Sequence, residues 1–158
     1  MPELPPYIAT IDPSWIDYNG HLRDAYYGLI ASLAIDVVMD DLGLDAAYRA
    51  RTHCTLYTLE VHINYLAEIK AADDLRVQSS ILDFDQKRLQ IGCRFTCPRV
   101  ATAAAAVEML LLHVHQGAKP AAAPFPAEVT MKLEEYKAPA TGPGAFVPSS
   151  RKIELKRR

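Results

Sequence analysis

The sequence predicts an α+β fold in which an antiparallel sheet wraps one long buried helix. Three observations carry this reading. Residues 21–42 form one helical stretch that is apolar on most of its surface. Four strand-like segments follow it. Most of the links between them are short turns, which makes neighbouring strands antiparallel. A helix apolar on most sides must hide that surface, and the strands are the large partner at hand.

Each element has its own warrant. Residues 7–11, Tyr-Ile-Ala-Thr-Ile after a proline pair, read as a first strand. Asp17-Tyr18-Asn19-Gly20 is a polar loop. In the helix, Ser32, Asp36 and Asp40 fall four apart on one stripe with Gly28, while Leu29, Ile30, Leu33, Ile35, Val37, Val38 and Met39 cover the rest. Gly43 is placed to end it. The period then changes to two. From Thr55 to Tyr65 the odd positions include Tyr57, Leu59, Val61 and Ile63, and the even ones Thr58, Glu60, His62 and Asn64, as in a half-buried strand. Residues 75–84 form a less regular strand that suggests a bulge. Asp85-Gln86-Lys87-Arg88 is a hairpin turn, after which Leu89, Ile91, Cys93, Phe95 and Cys97 alternate with polar or small residues in the third strand after the helix. Residues 98–101 turn the chain into a long final strand over 102–116. Residues 117–126, rich in Ala and Pro, read as loop, 127–137 as a short helix and 138–150 as irregular. The expected organisation is one domain over 1–137 and an irregular basic tail over 138–158.

With 158 residues the chain can bury roughly 70% of its unfolded surface and hold its own core. A net charge of -2 gives no electrostatic reason to expect nucleic acid as a partner. Cys54, Cys93 and Cys97 are odd in number and form no CxxC pair, which fits a reducing compartment. Met1-Pro2-Glu3-Leu4-Pro5-Pro6 has neither a basic cluster nor an apolar run, so no secretory signal is expected. The longest apolar stretch is short and carries Glu108, so no membrane span is expected. The expected location is the cytoplasm. His113 and His115 share a strand face, but no acidic or cysteine cluster completes a site, so no metal is expected.

The run Ile16-Asp17-Tyr18-Asn19-Gly20-His21-Leu22-Arg23-Asp24-Ala25-Tyr26-Tyr27 resembles the loop and helix start of hotdog-fold acyl-CoA thioesterases of the 4-hydroxybenzoyl-CoA type. Together with residues 57–66 it is similar, more closely, to the betainyl-CoA thioesterases found fused to or beside carnitine dehydrogenase. The likeness runs from about Tyr7 to Gln116. It implies a hotdog fold and hydrolysis of a small acyl-CoA, with CoA entering as part of the substrate and no other cofactor. It departs from the family pattern at Arg23, where Asn is usual. Arg23 therefore stands as a residue that can meet a carboxylate or a CoA phosphate.

The resemblance implies that Asp17 attacks the thioester or activates a water that does. Free N–H groups at a helix N-terminus favour developing negative charge, and those of Gly20 and His21 are the expected oxyanion donors. His21 can orient the carboxylate, and Asn19 lies beside it. Asp17 and Asn19 are also ordinary helix-capping residues. Glu60 is the member of the Glu60, His62, Asn64 face expected to reach a composite site from a second subunit, although such a face is more often solvated. A betainyl group calls for an aromatic cage, for which Trp15, Tyr18, Tyr26, Tyr27 and Tyr57 are candidates. Lys87, Arg88 and Arg99 are candidates for the CoA phosphates. Self-association as a dimer or tetramer is expected, because the fold leaves a sheet edge and a half-open pocket. Two other readings stay open: a hotdog hydratase, whose Asp-x4-His pattern is one residue longer than the spacing here, and a non-catalytic module that binds acyl-CoA or a quaternary ammonium compound.

Overall fold

The computed structural model describes residues 2–146 and 155. Its elements are β1 (Tyr7–Ala9), a single 3-10 turn (Pro13–Trp15), α1 (Asp24–Leu42), α2 (Ala46–Thr52), β2 (Cys54–Tyr65), β3 (Leu75–Phe84), β4 (Arg88–Thr96), β5 (Ala105–His115), β6 (Ala121–Ala122) and α3 (Ala127–Tyr136). The main strands pair antiparallel in the order β1-β3-β4-β5-β2, with β6 attached to β5.

One side of α1 is buried along its whole length through Tyr27, Ile30, Ala31, Ala34, Ile35, Val38, Met39 and Leu42, while Ser32, Asp36 and Asp40 form the exposed stripe that the spacing predicts. Gly43 ends the helix in the left-handed conformation, and the Leu44 N–H closes back on the Met39 carbonyl. The sheet supplies the matching face. Leu75, Val77 and Ile81 of β3, Leu89, Ile91, Cys93 and Phe95 of β4, and Val107, Met109 and Leu111 of β5 are nearly or fully buried. Amphipathic α3 closes the same core with Val129 and Leu133. This is the hotdog arrangement, a curled sheet around one helix. The three cysteines are free and buried, and burial pushes the Cys93 thiol up to about 11, which leaves it inert in the core.

The structure changes four local expectations. First, α1 starts at Asp24, not His21. His21 and Leu22 are held extended by bridges to Lys70 and Ile16, so tertiary pairing overrides helical continuation there. Second, α2 is an additional helix, capped by the Asp45 side chain on the Tyr48 N–H at 2.8 Å. Third, the bulge expected in β3 is present, between Ile81 and Asp83, but β2 carries another between Thr58 and Glu60. That bulge reverses the alternation: Tyr57 pairs with Leu112 on the outer face, whereas Val61, Ile63 and Tyr65 pair with Met109, Val107 and Ala105 on the helix side. Fourth, the described part of the C-terminal segment returns to the outer sheet face. Ala138 donates to the Ile81 carbonyl at 2.8 Å, Arg94 donates to the Ala145 carbonyl at 3.1 Å, and Phe146 lies where a Cβ on Gly92 would come within 2.6 Å of its ring. The basic stretch over 151–158 lies outside the described residues except for Leu155.

At the far end of the sheet, His113 is buried between two partners. Its Nδ1 lies 2.8 Å from the Ala123 carbonyl, which only accepts, so Nδ1 carries the proton. Nε2 is then the acceptor for the Tyr48 hydroxyl at 2.9 Å. Tyr48→Phe leaves that nitrogen buried without a donor. It is expected to lower unfolding free energy by about 1–3 kcal/mol in urea titration.

Candidate active site

The segment before α1 folds on itself. Ile16 bridges Leu22, the Asp17 N–H donates to the His21 carbonyl at 2.8 Å, and Gly20 donates to the Asp17 carbonyl at 3.0 Å. Gly20 takes a φ of 76°, which side-chain-bearing residues rarely adopt. The turn aims the Asp17 carboxylate back at its own backbone: Oδ1 accepts from Asn19 N–H at 2.9 Å and His21 N–H at 3.2 Å. Oδ2 has no hydrogen bond among the described residues.

This corrects the expected oxyanion donors. The N–H groups of Gly20 and His21 are occupied by Asp17 itself, Leu22 donates to Ile69 and Arg23 donates to Trp15. The first N–H groups without an acceptor among the described residues are those of Asp24 and Ala25, at the true start of α1. Arg23 is the N-cap, exposed and making no side-chain capping bond.

Asp17, His21 and Asp24 line one open cavity of about 430 Å³. Its other polar wall is Glu68, whose Oε2 lies 3.2 Å from His21 Nε2. Tyr27 and Tyr65 close it with rings 4.9 Å apart and nearly perpendicular, and Leu22, Leu66 and Ala67 complete it. The Tyr65 hydroxyl donates to the Asp24 carbonyl at 3.1 Å and so ties β2 to the first turn of α1. Burial raises the Tyr27 and Tyr65 hydroxyl pKa values, so both stay neutral. A second hollow of about 450 Å³ lies on the outer sheet face beneath the chain ends, near Gln78, Ser80 and Arg94, away from Asp17.

The other candidates disperse. Glu60 is on the outer face opposite Leu110, paired with His62 at 3.0 Å, so it does not face the helix side where Asp17 lies. The aromatic candidates fall in four places. Tyr27 lines the cavity; Trp15 stacks on Tyr26 at 5.4 Å outside it; Tyr18 is 92% exposed, and Tyr57 sits on the outer face beyond the bulge. Lys87 and Arg88 occupy the hairpin at the opposite end of β4, roughly 23 Å along the strand from Phe95, on which Tyr27 packs. Arg88 grips Asp85. Arg99 holds Asp73 with two bonds of 2.9 and 2.7 Å and also donates to the Glu68 carbonyl. Asp24, Tyr65 and Glu68 were not picked out as site residues. Asp24 sits inside the quoted motif, but its role depends on where α1 starts, and nothing in the local sequence brings Glu68 to His21. Among the described residues no cluster of His, Cys, Asp and Glu is arranged to hold a metal.

Arg99 thus serves the site indirectly. It clamps the loop over 66–74, which presents Glu68 and pairs Ile69 and Lys70 with Leu22 and His21. The hydrogen bond from Arg99 holds the Asp73 carboxyl below its ordinary range. A depressed carboxylate contributes stability that is present above its unfolded pKa and lost as pH falls through the folded one. Arg99→Gln is therefore expected to destabilise the protein at neutral pH and to speed amide exchange at Lys70 and Asp73. Its deficit against wild type should begin to shrink near pH 4, the ordinary carboxyl range, and vanish once pH falls below the depressed folded value, where Asp73 is protonated in both.

A carboxylate with one oxygen anchored and the other open, set beside unpaired N–H groups of a helix end, is equipped to attack a carbonyl. The fold around it is that of the hotdog hydrolases. A family model described as the thioesterase-like superfamily matches residues 11–133, and the chain belongs to that superfamily as a thioester hydrolase. It is 41% identical over 131 residues to the betainyl-CoA thioesterase of Pseudomonas aeruginosa, covering 83% of this chain and 82% of the relative. It is 37% identical to the L-carnitine dehydrogenase/betainyl-CoA thioesterase of Agrobacterium fabrum, where 85% of this chain matches 27% of a longer protein. Among solved structures, a candidate thioesterase from Pseudomonas putida KT2440 superposes with a TM-score of 0.79 at 39% identity, over 99% of both chains. A Staphylococcus aureus protein solved in complex with CoA superposes with a TM-score of 0.82 at 27% identity, over 96% of this chain and 94% of that one.

Proposed function

We propose that the protein hydrolyses betainyl-CoA to betaine and CoA. The observation that carries this reading is the make-up of the cavity: the carboxylates of Asp17, Asp24 and Glu68 and the rings of Tyr27 and Tyr65, with no lysine or arginine in the lining. A trimethylammonium group is drawn to carboxylates and aromatic faces. The betainyl-CoA activity named for the Pseudomonas aeruginosa relative supports the same substrate.

In this mechanism the thioester carbonyl oxygen points at the N–H groups of Asp24 and Ala25, where the helix dipole favours the oxyanion. Asp17 Oδ2 attacks the carbonyl carbon, CoA leaves as its thiolate, and water hydrolyses the acyl-aspartyl anhydride. The same oxygen can instead take a proton from a water that attacks directly. Single turnover in heavy-oxygen water separates the routes, because label enters Asp17 only through the anhydride. CoA enters as part of the substrate, and the reaction as written needs no other cofactor. Asp17→Asn is expected to cut turnover at least about a hundredfold while CoA binding persists. Unchanged thiol release from betainyl-CoA in that variant overturns the assignment.

The protein acts as a homo-oligomer in the cytoplasm in this reading. Strand β2 is an edge of twelve residues, and Leu59, Val61 and Tyr65 along it are 54%, 39% and 52% exposed. A second copy pairing antiparallel along this edge covers them and walls the open side of the cavity at Tyr65. Leu59→Lys, at the bulge, is expected to convert the oligomer to monomer in sedimentation. A monomeric wild type overturns this part. Among the described residues no helix is long and apolar enough to cross a membrane.

A further inference from the structure

Beyond the nucleophile, the cavity holds two carboxylates that the chemistry of thioester attack does not need. We infer that Glu68 and Asp24 are the specificity determinants, selecting an acyl group that carries its own positive charge next to the carbonyl. This rests on the betainyl reading above and names the residues that enforce it.

The argument is electrostatic. Asp24 occupies the first position of α1, beside the N–H groups that would receive the oxyanion. Glu68 faces His21 across the same cavity. Neither belongs to the Asp17 turn. The cations near in sequence are engaged elsewhere or lie outside the lining: Arg99 is bound by Asp73, and Arg23 and Lys70 are not part of the cavity wall. A neutral acyl group attacked here places its oxyanion among like charges, which raises the barrier. A betainyl group brings a quaternary nitrogen one methylene from the carbonyl, and that charge offsets the carboxylates as the oxyanion forms. The acidic wall therefore hinders neutral esters and favours the cationic one, and this opposition of sign separates specificity from simple positioning. Tyr65, held on the Asp24 carbonyl, keeps its ring against the same space.

The test uses two esters of nearly identical shape, betainyl-CoA and its uncharged isostere tert-butylacetyl-CoA. Glu68→Gln retains a hydrogen-bond acceptor for His21, and both Glu68 and Asp24 are exposed enough that their amide variants leave the core intact. Glu68→Gln and Asp24→Asn are each expected to lower kcat/KM for betainyl-CoA about tenfold. With tert-butylacetyl-CoA the same variants gain activity, and the charge-preserving Glu68→Asp retains most of the wild-type preference. A parallel fall on both esters assigns these residues to positioning and overturns the inference. A wild-type preference that survives both amide substitutions also overturns it, while the betainyl reading stands. A wild type that takes both esters equally overturns the betainyl reading and the inference together.

Discussion

His21, Leu22 and Arg23 are held in extended form from two sides, by the Trp15 carbonyl and by the loop at Ile69 and Lys70. The rest of the site depends on this constraint. It delays the start of α1 until Asp24 and so places unpaired N–H groups at the cavity. It also bends the Asp17 turn back so that two N–H groups fix one carboxylate oxygen and leave the other open. A helix that ran on from His21 would bury those donors in its own hydrogen bonds and carry Asp17 away from them.

That segment is steadied from further out. Arg99 binds Asp73, Asp73 closes the loop on the Lys70 N–H, and the loop pairs with His21 and Leu22. On the other side Tyr65 reaches from β2 to the Asp24 carbonyl. Three separate parts of the chain thus converge on the first turn of α1. The burial of that helix in the curled sheet keeps the turn from moving, since Tyr27 packs on Phe95 as well as on Tyr65.

Much of the fold was legible because it rests on periodicity. The long helix, its end at Gly43, the antiparallel strands, the bulge in β3 and the short helix before the irregular segment all follow from spacing that a reader can count. The bulge at Leu59 was hidden, because an uninterrupted alternation of residue types looks the same whether or not one residue is squeezed out of register. It put Tyr57, expected among the inward positions, on the outer face of the sheet. Helix α2 was missed because seven residues carry too little pattern, and its cap at Asp45 is a signal read only once the helix is known.

The sequence by itself determined the α+β class, the buried helix, and the placing of Asp17 in a glycine turn just ahead of it. These are local properties: a residue's period, its allowed backbone angles and its neighbours along the chain decide them. Only the tertiary structure decided which N–H groups are free, that Arg99 holds the loop carrying Glu68, and that Asp24, Glu68 and Tyr65 share a cavity with Asp17. Those facts depend on segments about 50 residues apart meeting in space, as His21 and Glu68 do. No local preference encodes such a meeting. It follows from how the sheet curls to cover α1.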